Sequence, residues 1–391
     1  MNQTPFEPPR RLLLGPGPSP VHERVLQAMA RPTIGHLDPA FIGLMDEIKD
    51  GLRTVFGTEN ELTLPISGPA TAAQEAAVVN LVEPGDAVVV CVNGVFGGRL
   101  AEMARRAGGD VTTVDTEWGR QVDPAALRAE LQRRGQVKLV AFVHAETSTG
   151  VLTDAATIAR IARDAGALVL MDTVTSLGGV AVQVDAWGID ACYSGTQKCL
   201  SCPPGLGPLT ISERGRDAMA ARKTPVQSWF LDLSLVTAYW AGAQRSYHHT
   251  APVNALYGLH EALLLVLEEG LETAWQRHRN AHRALVAGLD AMGLGLAVAP
   301  GDRAPQLNTV VVPDGVDEAT IRLSLLHDHG IEVGAGLGPL AGRIWRVGLM
   351  GQGARPEHVY ALLSALEATL AQAGAPIPTG RALPAAQAAV A

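Results

Sequence analysis

Two residues, Asp172 and Lys198, carry the strongest chemical signal in this 391-residue chain. Asp172 ends the apolar run Ala167-Leu-Val-Leu-Met171 and precedes Thr173-Val-Thr-Ser-Leu-Gly-Gly179. Lys198 closes Ala191-Cys-Tyr-Ser-Gly-Thr-Gln197, a small-residue, apolar stretch in which an ammonium is poorly solvated. It is one of only four lysines, against twenty-seven arginines. An acid at the end of one apolar strand and a lysine after the next form the pair that a pyridoxal phosphate site needs. The neutral amine forms an imine to the cofactor aldehyde, and partial burial lowers its pKa toward a usable range. The carboxylate holds a proton on the pyridine nitrogen, so the ring accepts electrons from a substrate carbanion.

The elements that must position this pair are legible as alternation. Apolar runs of strand length at 87–92, 137–143, 167–171 and 188–194 interleave with helical patterns at 41–56, 71–82, 98–107 and 155–165. Such a βα succession predicts a mostly parallel sheet covered on both faces, with ligands gathered outside the carboxyl ends of its strands. Asp172 and Lys198 both fall at such ends. Residues 1–20, rich in proline, read as an arm lying over another surface, and 21–265 as the large cofactor-binding domain. Residues 266–374 read as a smaller α+β domain entered through a long helix, and 375–391, Pro/Ala-rich and unpatterned, as a flexible tail.

Further constellations surround the pair. Ser67-Gly-Pro-Ala-Thr71 precedes a helical run, whose free N–H groups and dipole suit a phosphate. Alone the segment is only a helix cap, but beside Asp172 and Lys198 it gains a ligand. Phe96 sits in the glycine-flanked loop Asn93-Gly-Val-Phe-Gly-Gly98, in a chain with 4% aromatic residues. It suits a stacking platform for a flat cofactor, or simple loop packing. His144-Ala-Glu-Thr-Ser-Thr-Gly150 leaves another strand end, where Thr147 is placed to bond a ring hydroxyl or to stabilise a turn. Tyr247 and Thr250, in Tyr247-His-His-Thr250, are candidate phosphate donors. Arg346 lies on an apolar strand, where a guanidinium is expensive unless paired, and suits a substrate carboxylate. Nearby Gly334-Ala-Gly-Leu-Gly338 allows close backbone approach.

Composition narrows the alternatives. A net charge of −8 without a basic run argues against nucleic acid. No stretch reaches membrane-spanning length and no apolar leader opens the chain, so the expectation is a cytoplasmic protein. Of the four cysteines, Cys199 and Cys202 have a metal-like spacing, but no second pair completes a site, and no metal is expected.

In order along nearly the whole chain, these motifs resemble the class V aminotransferases, specifically the alanine–glyoxylate and serine–glyoxylate aminotransferases. The likeness is carried by Leu12-Leu-Leu-Gly-Pro-Gly-Pro18, Asp46-Glu-Ile-Lys49, Asn93-Gly-Val-Phe-Gly97, Glu146-Thr-Ser-Thr-Gly150, Asp172-Thr-Val-Thr-Ser-Leu-Gly178, Ser194-Gly-Thr-Gln-Lys198, Tyr247-His-His-Thr250 and Trp345-Arg-Val-Gly348. It implies an α/β protein of fold type I, aspartate aminotransferase-like, dependent on pyridoxal 5'-phosphate (PLP). Lys198 would carry the cofactor and shuttle the proton at the substrate α-carbon, with Asp172 on the pyridine nitrogen and Phe96 stacked on the ring. Thr147 would bond the ring hydroxyl, and Val174 joins the cofactor-binding set. Ala70, Thr71 and Gln197 would hold the phosphate, and Arg346 would clamp the substrate carboxylate.

The resemblance also implies a homodimer with its sites at the interface, Tyr247 and Thr250 coming from the neighbouring subunit. The reaction implied is amino transfer from alanine or serine to glyoxylate. Pro69 departs from the family's Gly- or Ser-rich phosphate loop, offering neither N–H nor hydroxyl. His36 and Asn254 stand where relatives differ with substrate; ureidoglycine-using members carry Gln and Asn there, so His36 counts against that donor and Asn254 leaves it open. The rivals are a cysteine desulfurase or related lyase, which generally needs a cysteine in the C-terminal half, and a catalytically silent cofactor-binding regulator. No cysteine follows Cys202 and no DNA-binding segment is appended.

Overall fold

The computed structural model describes residues 4–241 and 245–390; the first three residues of the expected arm and residue 391 of the expected tail lie outside them. The strands are β1 (Leu12–Leu13), β2 (Leu62–Ser67), β3 (Ala87–Val92), β4 (Asp110–Asp115), β5 (Leu139–Val143), β6 (Ala145–Glu146) and β7 (Val151–Leu152). They continue with β8 (Leu168–Asp172), β9 (Ala191–Tyr193), β10 (Leu206–Ile211), β11 (Leu307–Val311), β12 (Ile331–Glu332), β13 (Gly334–Ala335) and β14 (Ile344–Gly348). The helices begin with α1 (Glu23–Met29), α2 (Pro39–Phe56), α3 (Ala70–Leu81), α4 (Val95–Arg106), α5 (Pro124–Arg134), α6 (Ala155–Asp164) and α7 (Val184–Trp187). After them come α8 (Glu213–Ala220), α9 (Leu233–Trp240), α10 (Val253–Glu269), α11 (Leu271–Ala291), α12 (Glu318–Asp328), α13 (Pro356–Gln372) and α14 (Ala382–Ala388).

Seven strands form the central sheet in the order β2-β10-β9-β8-β5-β3-β4, and β10 alone runs antiparallel to its neighbours. The inner strands β5 and β8 are buried along their whole length, as expected of strands covered on both faces. Helix boundaries follow local chemistry. In α2, Asp38 accepts the Ala40 N–H, Pro39 opens the first turn, and Gly57 closes the helix at φ 64°.

Strands β2, β4 and β10 were not expected from the sequence. β4 is a polar edge strand, Asp-Val-Thr-Thr-Val-Asp, and β10 carries Gly207 and Pro208 in its interior. The structure accommodates Pro208 by setting it opposite Pro65, a facing pair that has no N–H to lose. On its other side β9 has already ended at Tyr193.

A second core gathers α11, α12, α13, β11 and β14, with a three-stranded sheet β11-β14-β13. Leu14 of the N-terminal arm belongs to this core, and β1 pairs in parallel with β12. The arm is thus built into the smaller unit. The segment 375–391, read as a flexible tail, instead carries α14, whose Ala382 and Ala386 are buried in the same core. Its apolar contacts are made by alanines, which leave no hydrophobic stripe strong enough to read.

Ala386 is fully buried. Ala386→Lys should therefore destabilise the protein by about 2–4 kcal/mol through overpacking and an unpaired charge. Urea unfolding followed by tryptophan fluorescence reads this directly; an unchanged midpoint would mean that α14 is not docked in solution.

Candidate active site

Asp172 is the last residue of β8 and only 4% exposed. Its Oδ2 accepts the Tyr193 hydroxyl at 2.7 Å and its Oδ1 accepts the Val174 N–H at 2.8 Å. Burial pushes its carboxyl up to about 6, against the pull of those two bonds. Tyr193 comes from β9, the strand next to β8. Val174 thereby enters the site through its backbone, orienting the carboxylate.

Lys198 follows β9 in the loop Ser194–Lys198 and is 8% exposed. Burial lowers its pKa to about 8, so roughly a tenth of the amine is neutral at pH 7, far more than for an exposed lysine. Its Nζ donates to the Pro16 carbonyl. The arm reaches this far because Gly17, at φ 109°, has no side chain; a Cβ there would lie 2.7 Å from Lys198 Nζ. Ser19 then grips the loop, its N–H donating to the Gln197 carbonyl at 2.9 Å and its hydroxyl to the Lys198 carbonyl at 2.7 Å.

Across the loop lies the start of α3. Pro69 occupies its N-cap and offers no side-chain bond, so no side chain caps the N–H groups of that first turn. The Gln197 Oε1 is buried without a partner. Gly195 brings this amide against the helix start, since a Cβ there would lie 2.6 Å from Gln197 Oε1 and 2.8 Å from Ala70 Cβ. Thr71 is exposed at the same turn. Phe96, half-buried in the first turn of α4, has Arg99 over its ring at 4.8 Å. Thr147 is buried, its hydroxyl paired with that of Thr175.

From the smaller unit, Arg346 on β14 donates Nε to the Ala335 carbonyl at 2.7 Å and Nη1 to the Thr147 carbonyl at 3.3 Å. No carboxylate lies within ion-pair reach among the described residues. Burial lowers its pKa, opposed by the charge of Glu146. The glycines at 334, 336 and 338 do permit close approach, but by protein: a Cβ at Gly334 would lie 2.4 Å from Pro16 Cδ and one at Gly336 2.0 Å from the Leu340 carbonyl. Gly338, at φ 51°, packs on Trp118.

Other expected site residues are engaged elsewhere in the chain. Asn254 spends both amide donors on the Met29 and Arg31 carbonyls, at 2.9 and 2.8 Å, and accepts the Thr33 hydroxyl at 2.6 Å. It pins the segment that leads to His36, whose Nδ1 lies 3.0 Å from the Tyr239 hydroxyl. Tyr247 and Thr250 are exposed. The intervening His249 sets Nε2 2.6 Å from Ser67 Oγ, at the end of β2. Sequence reasoning missed Tyr193, Ser19 and the role of Glu146, because each acts through a contact between distant segments.

A buried amine that is partly neutral, a buried acid nearby, an uncapped helix start and a flat aromatic ring fit PLP's aldehyde, pyridine nitrogen, phosphate and ring face. Set at the carboxyl ends of a mostly parallel sheet with a smaller second unit, they define a PLP-dependent enzyme of fold type I.

The chain belongs to the class V aminotransferases: the pattern described as "Aminotransferase class-V" matches residues 12–343. It is 42% identical over 396 residues to the (S)-ureidoglycine–glyoxylate transaminase of Bacillus subtilis, covering 97% of this chain and 95% of that one. It is 40% identical over 369 residues to the alanine–glyoxylate aminotransferase of Callithrix jacchus, covering 94% and 89%. Among solved structures, the alanine–glyoxylate aminotransferase of Nostoc sp. superposes with a TM-score of 0.93 at 50% identity, covering 95% of this chain and 98% of that chain.

The two buried groups have opposite pH signatures in the cofactor-free protein. Lys198, lowered from 10.5 to about 8, binds fewer protons folded than unfolded, so its penalty is relieved as pH rises from about 8 to 10.5. Asp172, raised from 3.8 to about 6, costs stability as pH rises across about 4 to 6. Lys198→Met should therefore stabilise the cofactor-free protein at pH 7 by up to about 3 kcal/mol, with the gain shrinking above pH 10. Denaturant titrations at the two pH values measure this, and a pH-independent difference would contradict the buried amine.

Proposed function

We propose that the chain transfers the amino group of alanine or serine to glyoxylate, giving glycine with pyruvate or hydroxypyruvate. One observation carries the substrate class: Arg346 is buried and has no acid partner among the described residues, whereas Arg245, whose side chain is also buried, is paired with Asp46. Such a guanidinium suits one carboxylate, bound in a forked geometry, and leaves no equivalent for a second. Alanine, serine and glyoxylate each present one carboxylate on a short chain. The alanine–glyoxylate relatives support the acceptor and the donor. The Bacillus subtilis relative supports a second reading, in which ureidoglycine is the donor.

In this reading Lys198 would hold the cofactor until the donor amine displaces it, and its freed Nζ would then move the proton between the substrate α-carbon and the cofactor. PLP, when bound, supplies a ring that accepts the electron pair left at that carbon. Asp172 holds the proton on the pyridine nitrogen, already oriented by Tyr193 and the Val174 N–H. Phe96 covers the ring and Thr147 meets its hydroxyl. Ala70, Thr71 and Gln197 would hold the phosphate, with Pro69, the N-cap of α3, offering it neither N–H nor hydroxyl. Arg346 orients the substrate so that its α-carbon faces the lysine.

The working form proposed is a homodimer in which Tyr247 and Thr250 reach a neighbouring subunit's phosphate. Their exposure in the single chain, beside Trp229 at 62% and Phe230 at 40%, supports this. All four cysteines are unpaired, which fits the reducing cytoplasm.

A panel of amino donors assayed with glyoxylate tests the reaction: alanine or serine should exceed glutamate and aspartate. Faster glutamate turnover would overturn the proposal, and strong preference for ureidoglycine would promote the second reading. Arg346→Ala should weaken every carboxylate substrate by about 2–5 kcal/mol in kcat/KM. Asp172→Asn should keep bound cofactor but lose most of kcat; nearly unchanged kcat would remove Asp172 from the chemistry.

A further inference from the structure

Glu146 is a fully buried carboxylate that makes no ion pair among the described residues. Its Oε2 accepts the backbone N–H groups of Phe96 at 3.1 Å and Gly97 at 3.3 Å. Its Oε1 accepts the N–H of Ser148 at 3.0 Å and the Ser148 hydroxyl at 2.6 Å. Ser148 Oγ in turn accepts the Val95 N–H at 3.0 Å. The start of α4 is thus capped from outside the helix, since its own N-cap is Gly94 and supplies no side-chain bond. Gly94 is there for room: at φ 173° its backbone suits any residue, but a Cβ would lie 2.4 Å from Glu146 Cδ and 2.5 Å from Ser148 Oγ.

The residue between Glu146 and Ser148 is Thr147, whose carbonyl holds Arg346. One short segment therefore fixes the turn that bears the aromatic ring and the peptide that holds the guanidinium. We infer that Glu146 is a positioning residue that sets the Phe96 ring against the cofactor by gripping the first turn of α4 through its carboxylate. This rests on the proposed role of Phe96 as the ring platform.

Glu146→Gln keeps the shape but puts an amide NH₂ against N–H donors, so the grip on one side is lost. The test is a cycle of Glu146→Gln, Phe96→Ala and the double variant, read as the rate at which the holoenzyme releases PLP on dilution, followed by visible absorbance. Glu146→Gln should speed release about tenfold, the size expected for losing charge-assisted bonds. In the Phe96→Ala background it should add little, because the ring it positions is gone.

An unchanged release rate for Glu146→Gln, or a full tenfold effect persisting without the ring, would overturn this inference while leaving the platform intact. An unchanged rate for Phe96→Ala would instead sink the platform reading, and this inference with it. Should Glu146→Gln fail to fold, the same cycle with Ser148→Ala decides, with a smaller loss that should likewise vanish without Phe96. A merely structural cap would lower the melting temperature equally in both backgrounds and show no such coupling in release.

Discussion

Withdrawing an amine from water is the costly act around which this protein is arranged. Lys198 is useful because it is buried, and burial alone would drive its charge away or push the loop outward. The chain prevents the second outcome by gripping the loop's backbone. Ser19 holds the Gln197 and Lys198 positions, and Ser201 continues the contact, accepting the Gln352 N–H at 2.8 Å while lying 3.2 Å from Ser19 Oγ. Ser201 adopts φ 50°, the one non-glycine residue with positive φ among those described, so the loop is held in a conformation its sequence does not favour. Three separate segments meet there, and the role proposed for the lysine depends on all of them.

The carboxylates show how differently burial can be used. Asp172 is poised by a phenol and one N–H, whose pull does not offset the desolvation that raises its proton affinity. Glu146 takes donations from two segments and serves as mortar between them. Both are inside the same region, and the raised affinity of each comes chiefly from desolvation. The different roles proposed for them follow from geometry, since one ends β8 and the other reaches the first turn of α4.

What could be read in the sequence was whatever depended on neighbours along the chain. The inner strands announced themselves as apolar runs, and Asp172 and Lys198 stood at their ends because parallel strands place such residues together. Strand β10 was hidden by Gly207 and Pro208, whose acceptability rests on Pro65 in a segment far upstream. The grip of Glu146 on Phe96 joins residues fifty positions apart, and the arm's contact with Lys198 joins residues 182 apart. Neither leaves a periodic trace. The glycines at 334, 336 and 338 were visible as a demand for close approach, but only the fold reveals that the approaching groups are Pro16, the Leu340 carbonyl and Trp118.

The pairing of β1 with β12 and the burial of Leu14 among residues of α13 have a consequence for the order in which the molecule is made. On the ribosome the central sheet is complete once Ile211 emerges, but β1 and Leu14 of the arm still lack their partners in the smaller unit. Leu12, Leu13 and Leu14 must wait, solvent-exposed, until residues 331–366 have followed. Closing that long loop must follow the synthesis of residues 331–366, so the seating of the arm on the smaller unit is a late contact in the making of the fold.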